Sequence, residues 1–130
     1  MGTIGRIAIV LLLVAVSACH RIQPIYNVQD HPIPSASLGL SAEQITQVIA
    51  RTAQTNGWTV DQVSPTELRA TQKWKDHTAV VLISTNGRSF SIREEGSTNL
   101  RQQGNEIHRA YNTRVHTLED AIDKRLYQRP

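Results

Sequence analysis

The sequence of 130 residues is poor in the features that identify an enzyme, a metal site or a nucleic-acid-binding protein. Aromatic residues make up 5%, and the net charge is +3; both are too low to indicate binding of nucleic acid. The single cysteine, Cys19, excludes an intramolecular disulfide. No nucleophile elbow, Gly-rich phosphate loop, HExxH sequence or paired-cysteine motif is present. We therefore expect no enzyme activity, no metal, no cofactor and no nucleic-acid partner.

Long apolar runs are also missing, and the longest one lies close to the N-terminus. It covers residues 7–16, ten residues, whereas a transmembrane helix needs about 20. Arg6 precedes this run, and the small residues Ser17 and Ala18 follow it. A basic start, a short apolar run and small residues before a cleavage point are typical of a secretory signal peptide. The sequence therefore predicts a signal peptide over residues 1–18.

The stretch Val16-Ser17-Ala18-Cys19 resembles the lipobox of bacterial lipoproteins, an aliphatic and two small residues before a cysteine. In that family the thiol receives a diacylglycerol, the chain is cut before the cysteine, and a fatty acid such as palmitate acylates the new amino group. The resemblance implies cleavage between Ala18 and Cys19, and membrane attachment through lipid on Cys19. Lipoproteins that are retained in the inner membrane have aspartate directly after the lipidated cysteine. This chain has His20 at that position, so the resemblance implies the outer membrane, facing the periplasm. The alternative is an ordinary signal peptide that ends near a cysteine by chance.

Residues 19–38 are interpreted as the lipidated cysteine and a tether, because this segment is rich in proline and in small or polar residues. Its prolines are Pro24, Pro32 and Pro34. Alternatively, Ile22, Ile25 and Val28 would allow part of the segment to lie along the domain as an edge strand.

The first predicted helix covers residues 42–56. Ser41 and Gln44 have the spacing of a capping box, and Leu40 precedes the cap as in a hydrophobic staple. Asn56-Gly57 is typical of a helix end, since glycine readily adopts the left-handed conformation.

After residue 57 the apolar period changes from helical to alternating, which indicates β-strands. The predicted strands cover residues 58–63, 67–74, 78–85 and 89–94. Asn86-Gly87 between the last two is typical of a two-residue type I′ turn, which places Ile83 opposite Phe90.

The other two turns predict the pairing of the earlier strands. A two-residue turn at Lys75-Asp76 places Ala70 opposite Val81, and a loop at residues 64–66 places Val60 opposite Ala70. These pairings give one apolar sheet face, as expected of an antiparallel meander with one solvated side. The apolar face consists of Trp58, Val60, Leu68, Ala70, Val81, Ile83, Phe90 and Ile92. The other face is basic, with Arg69, Lys73 and Arg93, and is either simply solvated or a contact for anionic lipid headgroups or an acidic partner.

Residues 95–104 have no period and are predicted to be a loop before a last helix, with Asn105 as its cap. An apolar stripe with spacings of three and four runs along that helix. Its members are Ile107, Tyr111, Val115, Leu118, Ile122 and Leu126. The resulting expectation for residues 39–130 is a single α+β domain. It is a two-layer sandwich, αββββα, with both helices on one face of a four-stranded antiparallel meander.

Two stretches near the C-terminus resemble a family of small, uncharacterised proteobacterial lipoproteins. They are Ser97-x-Asn99-Leu100 and Ile107-His108-x-x-Tyr111-Asn112-x-x-Val115-x-x-Leu118. The resemblance implies lipoprotein status and carries no activity with it.

The most suggestive polar residues lie in the same stretches and would meet where the loop joins the last helix. They are Ser97, Asn99, His108, Tyr111 and Asn112. We interpret them as a candidate recognition patch; alternatively they are structural, with Ser97 and Asn99 holding the loop through local hydrogen bonds.

The function predicted from the sequence is that of a lipid-anchored envelope protein whose domain binds or scaffolds another envelope protein. The alternative is a periplasmic module that binds a ligand or a metal through residues 108–112. The histidines are scattered without metal-ligand spacing, so we expect no metal site.

Overall fold

A computed structural model describes residues 21–128 of the chain. The predicted signal peptide, its cleavage site at Ala18, the predicted lipidation site at Cys19 and the sorting residue His20 lie outside the described residues. None of the helices in residues 21–128 is long and apolar enough to cross a bilayer.

The described residues form an α+β fold, as predicted. The strands are β1 (Ile22–Pro24), β2 (Val28–Pro32), β3 (Thr59–Ser64), β4 (Glu67–Trp74), β5 (His77–Thr85), β6 (Ser89–Thr98) and β7 (Glu106–His108). The helices are α1 (Ala42–Thr55) and α2 (Arg109–Tyr127), with a short 3-10 helix at Ser35–Ser37. The main sheet is antiparallel with the order β2-β6-β5-β4-β3, and β1 pairs with β7 in a small second sheet. The sheet therefore has one strand more than the predicted meander.

The ends of α1 follow the local signals in its sequence. The Ser41 side chain accepts a hydrogen bond from the Gln44 N–H, and the Gln44 side chain accepts one from the Ser41 N–H. This confirms the capping box. At the other end Gly57 has φ of +87°, a left-handed conformation that glycine adopts without strain.

The pairing of the first three strands of the meander is confirmed. Ala70 lies opposite Val81 in β5 and opposite Val60 in β3. At the Lys75-Asp76 turn Trp74 lies opposite His77, as a two-residue connection requires.

The predicted pairing of β5 with β6 is wrong by two residues, because Ile83 lies opposite Ile92 rather than Phe90. The Asn86 side chain accepts hydrogen bonds from the backbone N–H groups two and three residues later, both at 2.9 Å. A type I′ turn needs a positive φ at both of its central residues, but here Gly87 has a positive φ and Asn86 does not. A shift of two residues leaves the same side chains on the buried face, so the predicted core is unchanged.

The segment interpreted as a tether belongs to the folded domain from residue 22 onward. β2 pairs with β6 and is the fifth strand of the main sheet, at its edge. This is the alternative that the sequence left open, and the domain therefore begins before residue 39. Pro32 is accommodated because it ends an edge strand, where a missing N–H donor costs no ladder bond.

The last helix begins later than predicted. Asn105 does not cap it: residues Glu106–His108 form β7, and His108 is the N-cap of α2. The stripe from Ile107 to Leu126 is nevertheless buried throughout. Ile107 lies in β7, yet it keeps the apolar spacing of the helix that follows. The spacing alone therefore could not show where α2 begins.

Both helices contact each other, and α1 also contacts β3, β4 and β5. Ser37, just before α1, donates a hydrogen bond to the Leu126 carbonyl near the end of α2. The end of α1 and the start of α2 meet at Gln72, which donates to the Asn56 carbonyl and accepts from Arg114. The helices therefore run antiparallel, and the core lies between them and the apolar sheet face.

Candidate functional site

The predicted loop begins later than expected, because β6 continues to Thr98 and includes Ser97. Ser97 Oγ donates to Gln102 Oε1 at 2.7 Å and so joins the end of β6 to the loop that follows. Asn99 has φ of +57°, and its side-chain amide donates to the Asp76 carbonyl at 2.9 Å. Its own carbonyl lies 2.8 Å from His77 Nδ1. Ser97 and Asn99 thus connect the loop to the end of β6 and to the β4–β5 turn.

His108 lies where the loop meets the helix, as expected. Its N–H donates to the Leu100 carbonyl at 2.8 Å, and its Nδ1 accepts from the Ala110 N–H at 3.1 Å. Burial lowers the pKa of His108, and the positive charges of Arg101, Arg109 and other cations nearby lower it further. A ring nitrogen that accepts a hydrogen bond must be unprotonated, so the lowered pKa supports the capping role.

Tyr111 is not on the surface. It is fully buried, and neither its hydroxyl nor Glu94 Oε1 has a hydrogen-bond partner within residues 21–128. Burial raises the pKa of Tyr111, and the charge of Glu94 raises it further. Burial also raises the pKa of Glu94, against a hydrogen bond with Gln102 that lowers it. Tyr111 is therefore out of reach of a protein partner.

Asn112 holds the N-terminal segment against α2. Its Oδ1 accepts from the Tyr26 N–H at 2.9 Å, and its Nδ2 donates to the Pro24 carbonyl at 2.9 Å and to Gln23 Oε1 at 3.3 Å. The fold thus brings His108 to the loop that contains Asn99 and follows Ser97, whereas Tyr111 is buried in the core and Asn112 binds the N-terminal segment.

A cluster of ionisable groups that was not predicted from the sequence lies between β2 and α2, and we term it the His31 clamp. His31 Nδ1 lies 2.8 Å from Glu119 Oε1, and His31 Nε2 lies 2.9 Å from Asp123 Oδ1. The ring also stacks on Phe90, with centroids 4.7 Å apart. Because a carboxylate only accepts hydrogen bonds, both ring nitrogens must donate, which requires a protonated imidazolium.

The pKa of His31 agrees with this protonation state. Burial lowers the pKa, but the hydrogen bonds to Glu119 and Asp123, together with their charges, outweigh burial and raise it overall. Glu119 and Asp123 are four residues apart on α2, so they share one helix face, and this spacing was the only sequence signal for the cluster. Both nitrogens of the ring are occupied, so the clamp is arranged as a structural link and a proton-binding group.

Tyr26 extends the cluster. Its hydroxyl donates to Glu119 Oε2 at 2.6 Å, and its ring stacks on His116 with centroids 3.7 Å apart. The hydrogen bond to Glu119, with burial, raises the pKa of Tyr26 to about 12, so the hydroxyl stays protonated. Within residues 21–128 no three His, Cys, Asp or Glu side chains are arranged to hold a metal ion.

A solvent-open groove of about 360 Å³ lies between α1 and α2. Its apolar and small residues are Val48, Thr52 and Ala121, and its cations are Arg51, Lys124 and Arg125. None of the described residues that line it is acidic. The groove can therefore accommodate an apolar group that has a negatively charged group next to it.

Two residues with exposed apolar side chains adjoin the α2 end of this groove along the chain. Ser37 is hydrogen-bonded to the Leu126 carbonyl, and the next residues along the chain, Leu38 and Tyr127, are 51% and 65% exposed. We term the groove together with Leu38 and Tyr127 the distal surface. Exposed large apolar residues beside a charged groove are typical of a protein interaction site.

The comparisons with known proteins provide no relative for this chain. No family model, no curated protein and no solved structure matches it.

Proposed function

We propose that the chain is a lipid-anchored bacterial envelope protein whose domain binds another envelope protein through its distal surface. The anchor is supported by the lipobox-like residues Val16-Ser17-Ala18-Cys19, which make Cys19 the lipidation site. His20 in the next position favours the outer membrane, facing the periplasm. Two or more acyl chains on Cys19 would make attachment stable, since a single chain binds membranes only marginally.

The observation that carries the binding role is the composition of the distal surface. Three cations line the groove together with apolar and small residues, and Tyr127 and Leu38 in the adjoining chain have exposed apolar side chains. Tyrosine and arginine supply much of the binding energy in protein interfaces because they combine apolar area with directional polar contacts. The partner expected from this chemistry is an acidic segment with apolar side chains.

The alternative, a ligand- or metal-binding module based on residues 108–112, has less support. His108 caps α2, and Asn112 uses its side chain on the N-terminal segment, so both would have to give up internal hydrogen bonds to bind a ligand. No specific observation among the described residues favours a catalytic role for the His31 clamp, whose groups are bound to each other.

Site-specific photocrosslinking in cells tests the proposed binding role. A photoreactive residue replaces Gln128, which lines the groove, or Lys73, which is exposed on the opposite face of the sheet. We expect one discrete higher-mass product from position 128 and none from position 73. The product should disappear when Arg51→Glu and Arg125→Glu reverse the charge of the groove, and it should persist in the matched Lys73→Glu/Arg93→Glu variant.

The outcome against the proposal is equally definite. Identical products from both positions, or a product at position 128 that survives the groove variant, would mean that the distal surface is not the binding site. Circular dichroism of each purified variant establishes that the substitutions leave the fold intact.

A further inference from the structure

The folded chain begins very close to the predicted lipid. The Arg109 N–H donates to the Arg21 carbonyl at 2.6 Å, and Ile22 pairs with His108 in the β1–β7 sheet. Arg21 is two residues after Cys19. Because a chain spans at most about 3.6 Å per residue, the Cα atom of Cys19 is within roughly 7 Å of that of Arg21. A lipid on Cys19 would therefore hold this end of the domain directly at the headgroups.

The same end of the domain carries three exposed arginines. Arg21 and Arg109 are joined through their backbones, and Arg101 follows Leu100, whose carbonyl accepts from the His108 N–H. We term Arg21, Arg101 and Arg109 the anchor end. Two acidic residues belong to neighbouring elements: Glu106 pairs with Pro24 in the small sheet, and Asp76 Oδ1 lies 3.6 Å from His77 Nε2. The local field is nevertheless positive, since Arg101, Arg109, His77 and Arg21 all lower the pKa of His108.

The distal surface lies far from the anchor end. α2 begins at Arg109 and ends at Tyr127, 19 residues that extend over about 28 Å at a rise of about 1.5 Å per residue, and its first groove residue, Ala121, is about 18 Å from Arg109. Even the shorter of these lengths is roughly twice the distance over which physiological salt screens exposed charges, about 8 Å. The charges of the two basic regions therefore act independently of each other.

We infer that the anchor end binds anionic lipid headgroups, which orients the domain so that the distal surface points away from the membrane. The inference rests on the proposed lipid anchor at Cys19. The occupant is a lipid surface because the chain leads from the anchor end to the lipidation site within two residues, and guanidinium groups bind phosphate in two-point geometry. Basic residues beside a membrane add substantially to binding of anionic lipids.

The test uses the lipidated protein, extracted from membranes and placed in nanodiscs of neutral lipid or of lipid containing phosphatidylglycerol. Acylation blocks the Cys19 thiol, so Gln128→Cys supplies the one reactive thiol for a fluorescent donor. Energy transfer to acceptors on the headgroups reports the height of position 128. We expect a long, narrow distance distribution in anionic discs and a shorter, broader one in neutral discs.

Paired variants identify the residues responsible. Arg101→Gln/Arg109→Gln should give the short, broad distribution in anionic discs as well. Arg88→Gln/Arg93→Gln also removes two exposed cations, but from the β5–β6 turn and the following part of β6, and should leave the long distance unchanged. Distances that are the same in both lipids and in all variants would overturn the inference.

Failure of the anchor itself gives a different result. A protein without lipid on Cys19 will not enter the discs, which would contradict the proposed function before any distance is measured. Sedimentation of that unanchored protein with phosphatidylglycerol vesicles then tests the anchor end independently. Removing the two arginines should lower the vesicle-binding constant, measured by sedimentation, by roughly 25-fold, about five-fold for each arginine. Equal sedimentation of both proteins would overturn the headgroup contact.

Discussion

The meander of β3 to β6 and the N-terminal segment, residues 21–38, are both built largely from extended chain, but different interactions hold them. In the meander, successive strands are joined by short turns and bury alternate side chains such as Ala70, Val81 and Ile83. The N-terminal segment pairs with β6 through β2, and it also makes polar contacts with α2, at residues about 90 positions away in the sequence. The meander is therefore specified by local sequence, and the N-terminal segment by contacts with residues that are distant in the sequence.

This difference has a consequence for stability. Segments at the ends of a domain tend to open at lower free energy than the core, in cooperative units. Val28 and Ile33 of the N-terminal segment are buried, so it is part of the core, yet its orientation depends on Asn112 and the His31 clamp. We expect substitutions in the meander to destabilise the whole domain and substitutions in the polar contacts to release the segment first.

The largest effect is expected in the meander. Ile83→Ala removes a side chain that is 1% exposed and should lower the free energy of unfolding by about 2–5 kcal/mol. Urea denaturation of the purified domain measures this loss. Leu82→Ala, the neighbour on the other sheet face, is the matched control and should cost clearly less, because Leu82 is only half-buried. Equal losses would mean that the two faces do not differ as described.

A smaller and more local effect is expected from Asn112→Ala. The change leaves the Tyr26 N–H and the Pro24 carbonyl without their side-chain partner, which should cost about 1–3 kcal/mol. Amide hydrogen exchange should accelerate in residues 22–32 well before it does in β4 and β5. The exposed neighbour Thr113→Ala should change neither region. Uniform acceleration across the domain would show that the segment is not a separate unit.

The stability that the His31 clamp gives to the N-terminal segment depends on pH. The folded-state pKa of His31 is raised above its usual value near 6.5, so the folded domain binds this proton more tightly than the unfolded chain does. The stabilisation is complete below about pH 6.5 and is lost as the pH rises through the raised pKa. We expect a loss on the order of 1 kcal/mol, a typical value for a charge-assisted hydrogen bond that is partly exposed to water.

Urea midpoints measured from about pH 6 to about pH 9 test this loss. His31→Gln should flatten the profile in this range, whereas His116→Gln, which removes only the ring stacked on Tyr26, should keep its slope. A wild-type profile that rises toward alkaline pH would contradict the protonated clamp.

The smallest effect is expected at Tyr111. Tyr111→Phe removes a buried hydroxyl that has no partner within residues 21–128, and should leave the stability unchanged or raise it by up to about 1 kcal/mol. Thermal unfolding measures the difference. A clear loss of stability would show that the hydroxyl does make a stabilising hydrogen bond. The buried neighbour Val115→Ala is the control and should be strongly destabilising.

The parts of the fold that could be predicted from sequence are those with local causes. Ser41 and Gln44 specify the start of α1, and the Lys75-Asp76 turn specifies the pairing of β4 with β5. The pairing of β5 with β6 could not be settled by the apolar pattern. A side-chain period of two residues makes the buried face identical for registers that differ by two, and the contacts of Asn86 decided between them.

The candidate site was less predictable because its contacts are distant in sequence. Glu119 and Asp123 could be placed on one helix face, but His31 lies 88 and 92 positions away from them, and no pattern in the sequence connects these residues. Asn112 was correctly selected from the sequence as a residue that makes polar contacts. Its polar side chain could not show whether the partner was another molecule or the chain's own N-terminal segment.

Mass spectrometry of the N-terminal peptide tests most directly the claim that the domain is held by lipid on Cys19. Protein extracted from membranes is compared with the Cys19→Ala variant. We predict an N-terminal Cys19 that carries diacylglycerol and a fatty acid, and in the variant the loss of both the modification and membrane attachment. An unmodified peptide cut at another position, from a protein that leaves the membrane without detergent, would contradict the lipid anchor and the orientation inferred from it.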